Sequence, residues 1–160
     1  HGINESLIYG NHLPMMGVFI KRQVACDNLF NENRILAASE DWELWLRLAA
    51  IYPILHNKVI TSGLMQHNQR SVLNFNTELL IESKEVLINT VLSDKEVVRV
   101  YEKKINAFLA SNYSYISLHL LLARKQTGLA GKYLIKSVRT YPPSIVTRRF
   151  LAILKYLVKF

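Results

Sequence analysis

The chain has 160 residues, half of them hydrophobic, and a formal net charge of +8. That is enough apolar material for a buried core and too much for a disordered chain, while no apolar run reaches the roughly 18 to 20 residues a membrane span needs. A single cysteine, Cys26, excludes an internal disulfide and a thiolate zinc cluster, and it fits a reducing compartment.

The chain opens at His1-Gly2 without Met and without a basic-then-apolar leader. It therefore reads as a piece of a longer protein. Residues 1–70 carry six Lys/Arg against six Asp/Glu, whereas residues 71–160 carry fourteen against six. After Glu102 there are eleven Lys/Arg and no acid. Such an asymmetry points to an anionic partner for the C-terminal part.

In chain order, Leu7-Ile8-Tyr9 and Met15 to Ile20 read as short strands, split by Gly10-Asn11-His12 and Pro14. Lys21 to Val24 begins a short helix. Asp27 to Asn33 is rich in side chains that bond their own backbone, which predicts a loop. A helix follows from Glu40 and ends at Tyr52-Pro53, because a residue before proline is pushed out of the helical region. Ile54-Leu55-His56 and Lys58 to Thr61 read as further strands, and Gly63 to Ser71 as a polar loop. From about Thr77 the apolar spacing turns helical. One helix carries Leu79 to Val91. Ser93 or Asp94 caps a second, with Val97 to Leu109. A third covers Tyr115 to Lys125, a fourth Ala130 to Arg139, and a last one Ser144 to Phe160. Leu122 to Pro142 resembles one helical hairpin of the tetratricopeptide type, but one unit falls short of the three a solenoid needs. The reading is α+β, predominantly α: a segment with a few short strands (residues 1–70), then a helical region (residues 71–160).

The most informative run is Ala38 to Ala50, which holds both tryptophans. At about 100° per residue, Glu40, Glu43 and Arg47 share one side, read as the solvent side. Trp42, Trp45, Leu46 and Ala49 cover the other. Asp41 projects between Leu48 and Trp45, on an apolar sector. Acids in a first helical turn interact favourably with the helix dipole, which is one account of Glu40-Asp41. A carboxylate on an apolar wall is also poorly solvated and a better proton acceptor, which is the account of a general base.

The segment Leu13 to Ser71 resembles the acceptor-side half of family 2 glycosyltransferases of the GT-A type. Met15 to Arg22 looks like that family's strand ending in a basic pair. Asp27 to Glu32 is similar to its "gly-gly-phe-asp-glu" loop, with both glycines absent. Ser39 to Arg47 resembles its acidic signature, with an aromatic after the Asp. Val59 to Ser71 is similar to its late strand and "tyr-arg-x-his", with His67 in the His place and Met65 in the Arg place. The resemblance implies an incomplete GT-A segment and an inverting sugar transfer from a nucleotide-sugar donor to a glycan or lipid-linked acceptor. It makes Asp41 the general base, Glu40 a positioning residue, Trp42 and His67 substrate contacts, and His67 a candidate metal neighbour. It implies a divalent metal, Mg or Mn, in the full-length enzyme. The sequence has no Asp-x-Asp and no glycine-rich phosphate loop. The nucleotide half is thus expected upstream, and the isolated chain is expected to be inactive.

His1, His12, His56 and His119 show no metal-binding helical spacing. The tail cations Arg148, Arg149, Lys155 and Lys159 fit either a solvated face or a helix on an anionic membrane surface. Phe150, Leu151, Tyr156 and Phe160 supply bulk for insertion. Nucleic acid is not expected, since no recognition motif is present. The expected location is cytoplasmic, peripheral on the inner face of the membrane. Strand edges within residues 1–70 offer a route to homo-oligomers. The rival reading is a non-catalytic helical interaction module with a basic docking surface.

Overall fold

The computed structural model describes residues 2–60, 62–63, 76–123 and 126–158. Its helices are α1 (Ile3–Ser6), α2 (Arg22–Asp27), α3 (Glu40–Ile51), α4 (Thr77–Ser93), α5 (Lys95–Tyr101), α6 (Ile105–Leu122), α7 (Thr127–Thr140) and α8 (Arg148–Val158). Among the described residues there is no strand and no sheet, so the expected α+β class, with an incomplete GT-A segment, is corrected to all-α.

The physical reason lies in partners. Extended backbone becomes a strand only when a neighbour accepts and donates along a ladder. Leu7–Tyr9 and Met15–Gly17 instead close as single 3₁₀ turns, with Gly10 N–H on the Leu7 carbonyl at 3.3 Å and Gly17 N–H on the Pro14 carbonyl at 2.8 Å. Residues 54–60 have no ladder partner among the described residues, and Leu55 and Ile60 are each 92 % exposed. No strand edge is therefore presented among the described residues for pairing between copies.

What holds the N-terminal region is a set of side-chain tethers. Trp42 Nε1 donates to the Leu7 carbonyl at 2.8 Å, Trp45 Nε1 to the Leu13 carbonyl at 2.9 Å, and Arg47 Nη2 to the Leu29 carbonyl at 2.8 Å. In the other direction, Asn4 Nδ2 donates to the carbonyls of Ala49 and Tyr52 at 2.9 and 2.7 Å. Each closes a span of 18 to 48 residues. Tyr101 adds a bond from its hydroxyl to the Asn4 carbonyl at 2.6 Å, and burial pushes that phenol up to about 12. α3 is thus a rod from which loops are hung.

The helical region follows its sequence signals more closely. Asn76 caps α4, and Asp94 caps α5 by accepting from the N–H groups of Glu96 and Val97. One division differs. The chain breaks at a 3₁₀ turn, Glu102–Lys104, and then runs unbroken through Ser111-Asn112 to Leu122. That polar stretch suggested a boundary, but its groups bond back along the helix, Asn112 Nδ2 to the Phe108 carbonyl at 3.0 Å and Ser114 Oγ to the Ser111 carbonyl at 2.9 Å. α6 and α7 form a close hairpin, pinned by Ser117 Oγ on the Ala130 carbonyl and Ser137 Oγ on the Ala110 carbonyl, each at 2.8 Å. The last predicted helix is a 3₁₀ turn, Pro142–Val146, followed by α8.

Two cores result. One joins Leu7, Ile8, Trp42 and Trp45 to Leu87, Val91, Val97, Tyr101 and Phe108, and so crosses residue 70. The other packs Ile153 of α8 against Ile116, Leu120, Leu121, Ala130 and Leu134. Among the described residues, no helix is long and apolar enough to cross a membrane.

Candidate functional site

The site is built on the first turn of α3. Ala38, held at φ 67°, turns the chain into the helix. Ser39 stands at the N-cap position, yet its hydroxyl caps nothing. It accepts instead from Lys84 Nζ at 2.8 Å. Glu40 folds back, so that its carboxylate accepts from the Ser39 N–H at 2.9 Å. Asp41 is half-buried, with Oδ1 on the Trp42 N–H at 2.7 Å and Oδ2 on the Asn11 amide at 3.0 Å. The carboxylate is thus held by one side chain from the opposite loop while keeping an open side.

Its neighbours are committed elsewhere. Trp42 is buried, with its indole N–H on Leu7 and its ring edge-on to Phe108 at 5.4 Å. Glu43, expected on the solvent side, is only 3 % exposed. Arg47 Nε and Nη2 grip its two carboxylate oxygens at 2.6 and 3.0 Å, while the loop carrying Leu29 closes over the pair. This is a correction to the wheel. The charged side of α3 is a bidentate buried pair and not a solvated stripe.

Behind Asp41 lies a cationic cluster. Lys84 of α4 is buried, and its ammonium sits 5.5 Å from the Trp42 ring centre and 4.9 Å from that of Tyr115. Burial, and then the charge of Arg149, pull it down to about 8, against the opposing pull of Asp41. Among the described residues it makes no ion pair with a carboxylate. Arg149 of α8 donates to the Ser111 carbonyl at 2.8 Å and to the hydroxyls of Ser111 and Ser114 at 3.1 and 3.3 Å. Its guanidinium lies 5.5 Å from the Tyr115 ring centre. His119 stacks on the same ring at 4.2 Å, and burial followed by the charges of Arg149 and Lys84 holds its pKa low. A cavity of about 190 Å³ opens beside α3, with Arg34, Ser39, Asn76, Ser83, Lys84 and Tyr115 in its wall. A larger, shallow groove of about 480 Å³ along α7, lined by Lys132, Ile135, Lys136, Arg139 and Thr140, holds neither a carboxylate nor a histidine.

Of the residues singled out in the sequence, Asp41, Glu40 and Trp42 stay adjacent on α3. His67 and Lys159 lie outside the described residues. Arg148 and Lys155 are exposed, and Arg149 turns inward. Among the described residues no three His, Cys, Asp or Glu side chains converge on a common point. The donors present among the described residues do not fit a divalent metal.

Lys84 escaped the sequence reading, although its signal was available. It falls four residues after Leu80 and three before Leu87, on the buried stripe of α4. Asn11 carried no such signal. No family model matches the chain, and neither a curated protein nor a solved structure does.

Proposed function

We propose that the chain supplies the catalytic-base helix of an inverting, family 2-like glycosyltransferase. The acceptor hydroxyl oxygen bonds to the anomeric carbon as the bond from that carbon to the nucleoside diphosphate breaks. Asp41 takes the hydroxyl proton, and the diphosphate leaves with the bonding electrons. Glu40, bonded to the backbone N–H of Ser39, keeps the first turn of α3 in place.

The observation that carries the reading is the contrast among the three acids in the first turn of α3. Glu43 is neutralised by Arg47, and Glu40 and Asp41 each accept from a neighbouring backbone N–H, but Asp41 alone of the three is also braced by a side chain from a distant loop, Asn11, and stays half-buried. A general base needs that combination of fixed orientation and access. In this reading the nucleotide is held by sequence beyond the 160 residues, and the isolated chain does not turn over.

The test is nucleoside diphosphate release by the whole protein, offered common nucleotide sugars with glycan and lipid-linked acceptors. Acceptor-dependent release with inversion at the anomeric carbon is the expected result. Absence of release with every donor contradicts the reading. The second reading, a non-catalytic helical module, draws on the all-α fold of the described residues. It predicts binding without turnover.

A further inference from the structure

We infer that α8 lies flat on an anionic lipid bilayer, through a face that the protein core leaves uncovered. The inference is independent of the reaction proposed above.

α8 has two apolar faces. Ile153 points into the second core, with Phe150 and Leu157 packed beside it. Leu151, Leu154 and Val158 point outward and are 60 %, 40 % and 87 % exposed. At 100° per residue these three fall within an arc of about 60°, and Arg148 and Lys155 occupy about the next 60°. Both cations are exposed. The face thus presents an apolar row edged by positive charge. The turn leading into it, Pro142–Val146, exposes Ile145 and Val146 as well.

Three properties select a bilayer as the occupant. The first is charge complementarity: no acidic side chain follows Glu102 anywhere in the sequence, so nothing on this part of the chain repels an anionic surface. The second is length. The 11 described residues of α8 span about 16 Å, about half a hydrocarbon core, which suits a helix lying in the interface. The third is arrangement. An apolar row beside a basic edge lets aliphatic side chains enter the acyl boundary while the cations stay among the headgroups. The structure also refines which tail residues take part. Phe150, Tyr156 and Arg149 face the protein, leaving Leu151, Leu154, Val158, Arg148 and Lys155 for the membrane.

The experiment is co-sedimentation of the protein with vesicles of phosphatidylcholine alone or with roughly a third phosphatidylglycerol. Binding to the anionic vesicles only, weakened by salt, is expected. Each surface cation contributes about fivefold, so Arg148→Gln with Lys155→Gln lowers the partition coefficient about 25-fold. Leu151→Ser with Val158→Ser removes the insertion row and lowers binding at every salt concentration. Both pairs lie on exposed positions, and an unchanged far-UV circular dichroism spectrum checks that they fold. Equal binding to neutral and anionic vesicles overturns the inference, and so does binding that survives either pair. Concentration-dependent self-association abolished by Leu151→Ser with Val158→Ser, without lipid binding, assigns the face to a second copy and overturns it too.

Discussion

Residues 2–63 and residues 76–158 solve the same problem in different ways. The second region satisfies its backbone inside helices, with α6 buried on all sides between its neighbours. The first has short turns and extended segments, and it borrows partners from side chains: Trp42, Trp45 and Arg47 of α3 reach out to the carbonyls of Leu7, Leu13 and Leu29. A helix is held by many equivalent bonds, so losing one is local. A tethered loop depends on one or two bonds, so losing one frees a long stretch. The candidate base Asp41 belongs to the tethered kind, since its partner Asn11 sits in such a loop.

The largest effect is expected where a tether is also an ion pair. Arg47→Met leaves Glu43 buried without its cation and releases the Leu29 carbonyl, at a cost of about 3 to 5 kcal/mol. Chemical denaturation checks this, and a loss within about 1 kcal/mol would show that the loop is held by something else.

Next comes Lys84, the buried cation between the two regions. Folding lowers its pKa from 10.5 to about 8, so between those values the unfolded chain binds the extra proton and the folded one does not. Its contribution to stability is therefore complete above pH 10.5, declines as pH falls, and is lost below about 8. Measured against Lys84→Met, the wild type should gain on the order of 3 kcal/mol across that window. A difference that is flat with pH would place the ammonium in water.

A matched pair then tests the contrast itself. Trp45→Phe removes the tether to Leu13, and Asp94→Ala removes the cap of α5; each costs about 1 kcal/mol. Limited proteolysis separates them, because Trp45→Phe should open residues 10–21 to cleavage while Asp94→Ala frays only the start of α5. Equal protection of residues 10–21 in both variants would erase the distinction between the regions. The smallest effect on stability is Leu151→Ser, within about 0.5 kcal/mol, since that side chain already faces outward.

The same contrast explains what could be read from the sequence. α4 and α7 follow from apolar spacing, and α5 from Asp94, because helical bonds are local and the signal sits beside the structure it causes. The strands expected at Leu7–Tyr9, Met15–Ile20, Ile54–His56 and Lys58–Thr61, the last of which ends outside the described residues, rested on apolar runs whose backbone partners are not encoded nearby. Short apolar runs do not distinguish strands from turns. The alternation itself is real, for Val18 and Ile20 pack on the core with Phe19 between them exposed. At the site, the position of Asp41 at the start of a helix was legible. Its brace was not, because Asn11 meets it across 30 residues of sequence. Glu43 was misjudged because the wheel describes one helix alone, and the loop that buries it arrives from elsewhere.

The central claim is that Asp41, and not its neighbours, accepts the proton. Steady-state transfer by the whole protein as wild type, Asp41→Asn and Glu43→Gln, each checked for folding, tests it most directly. The account predicts that Asp41→Asn lowers kcat by about 10² to 10⁴ with little change in acceptor KM, while Glu43→Gln acts through stability alone. An Asp41→Asn enzyme that turns over within a few-fold of wild type contradicts it.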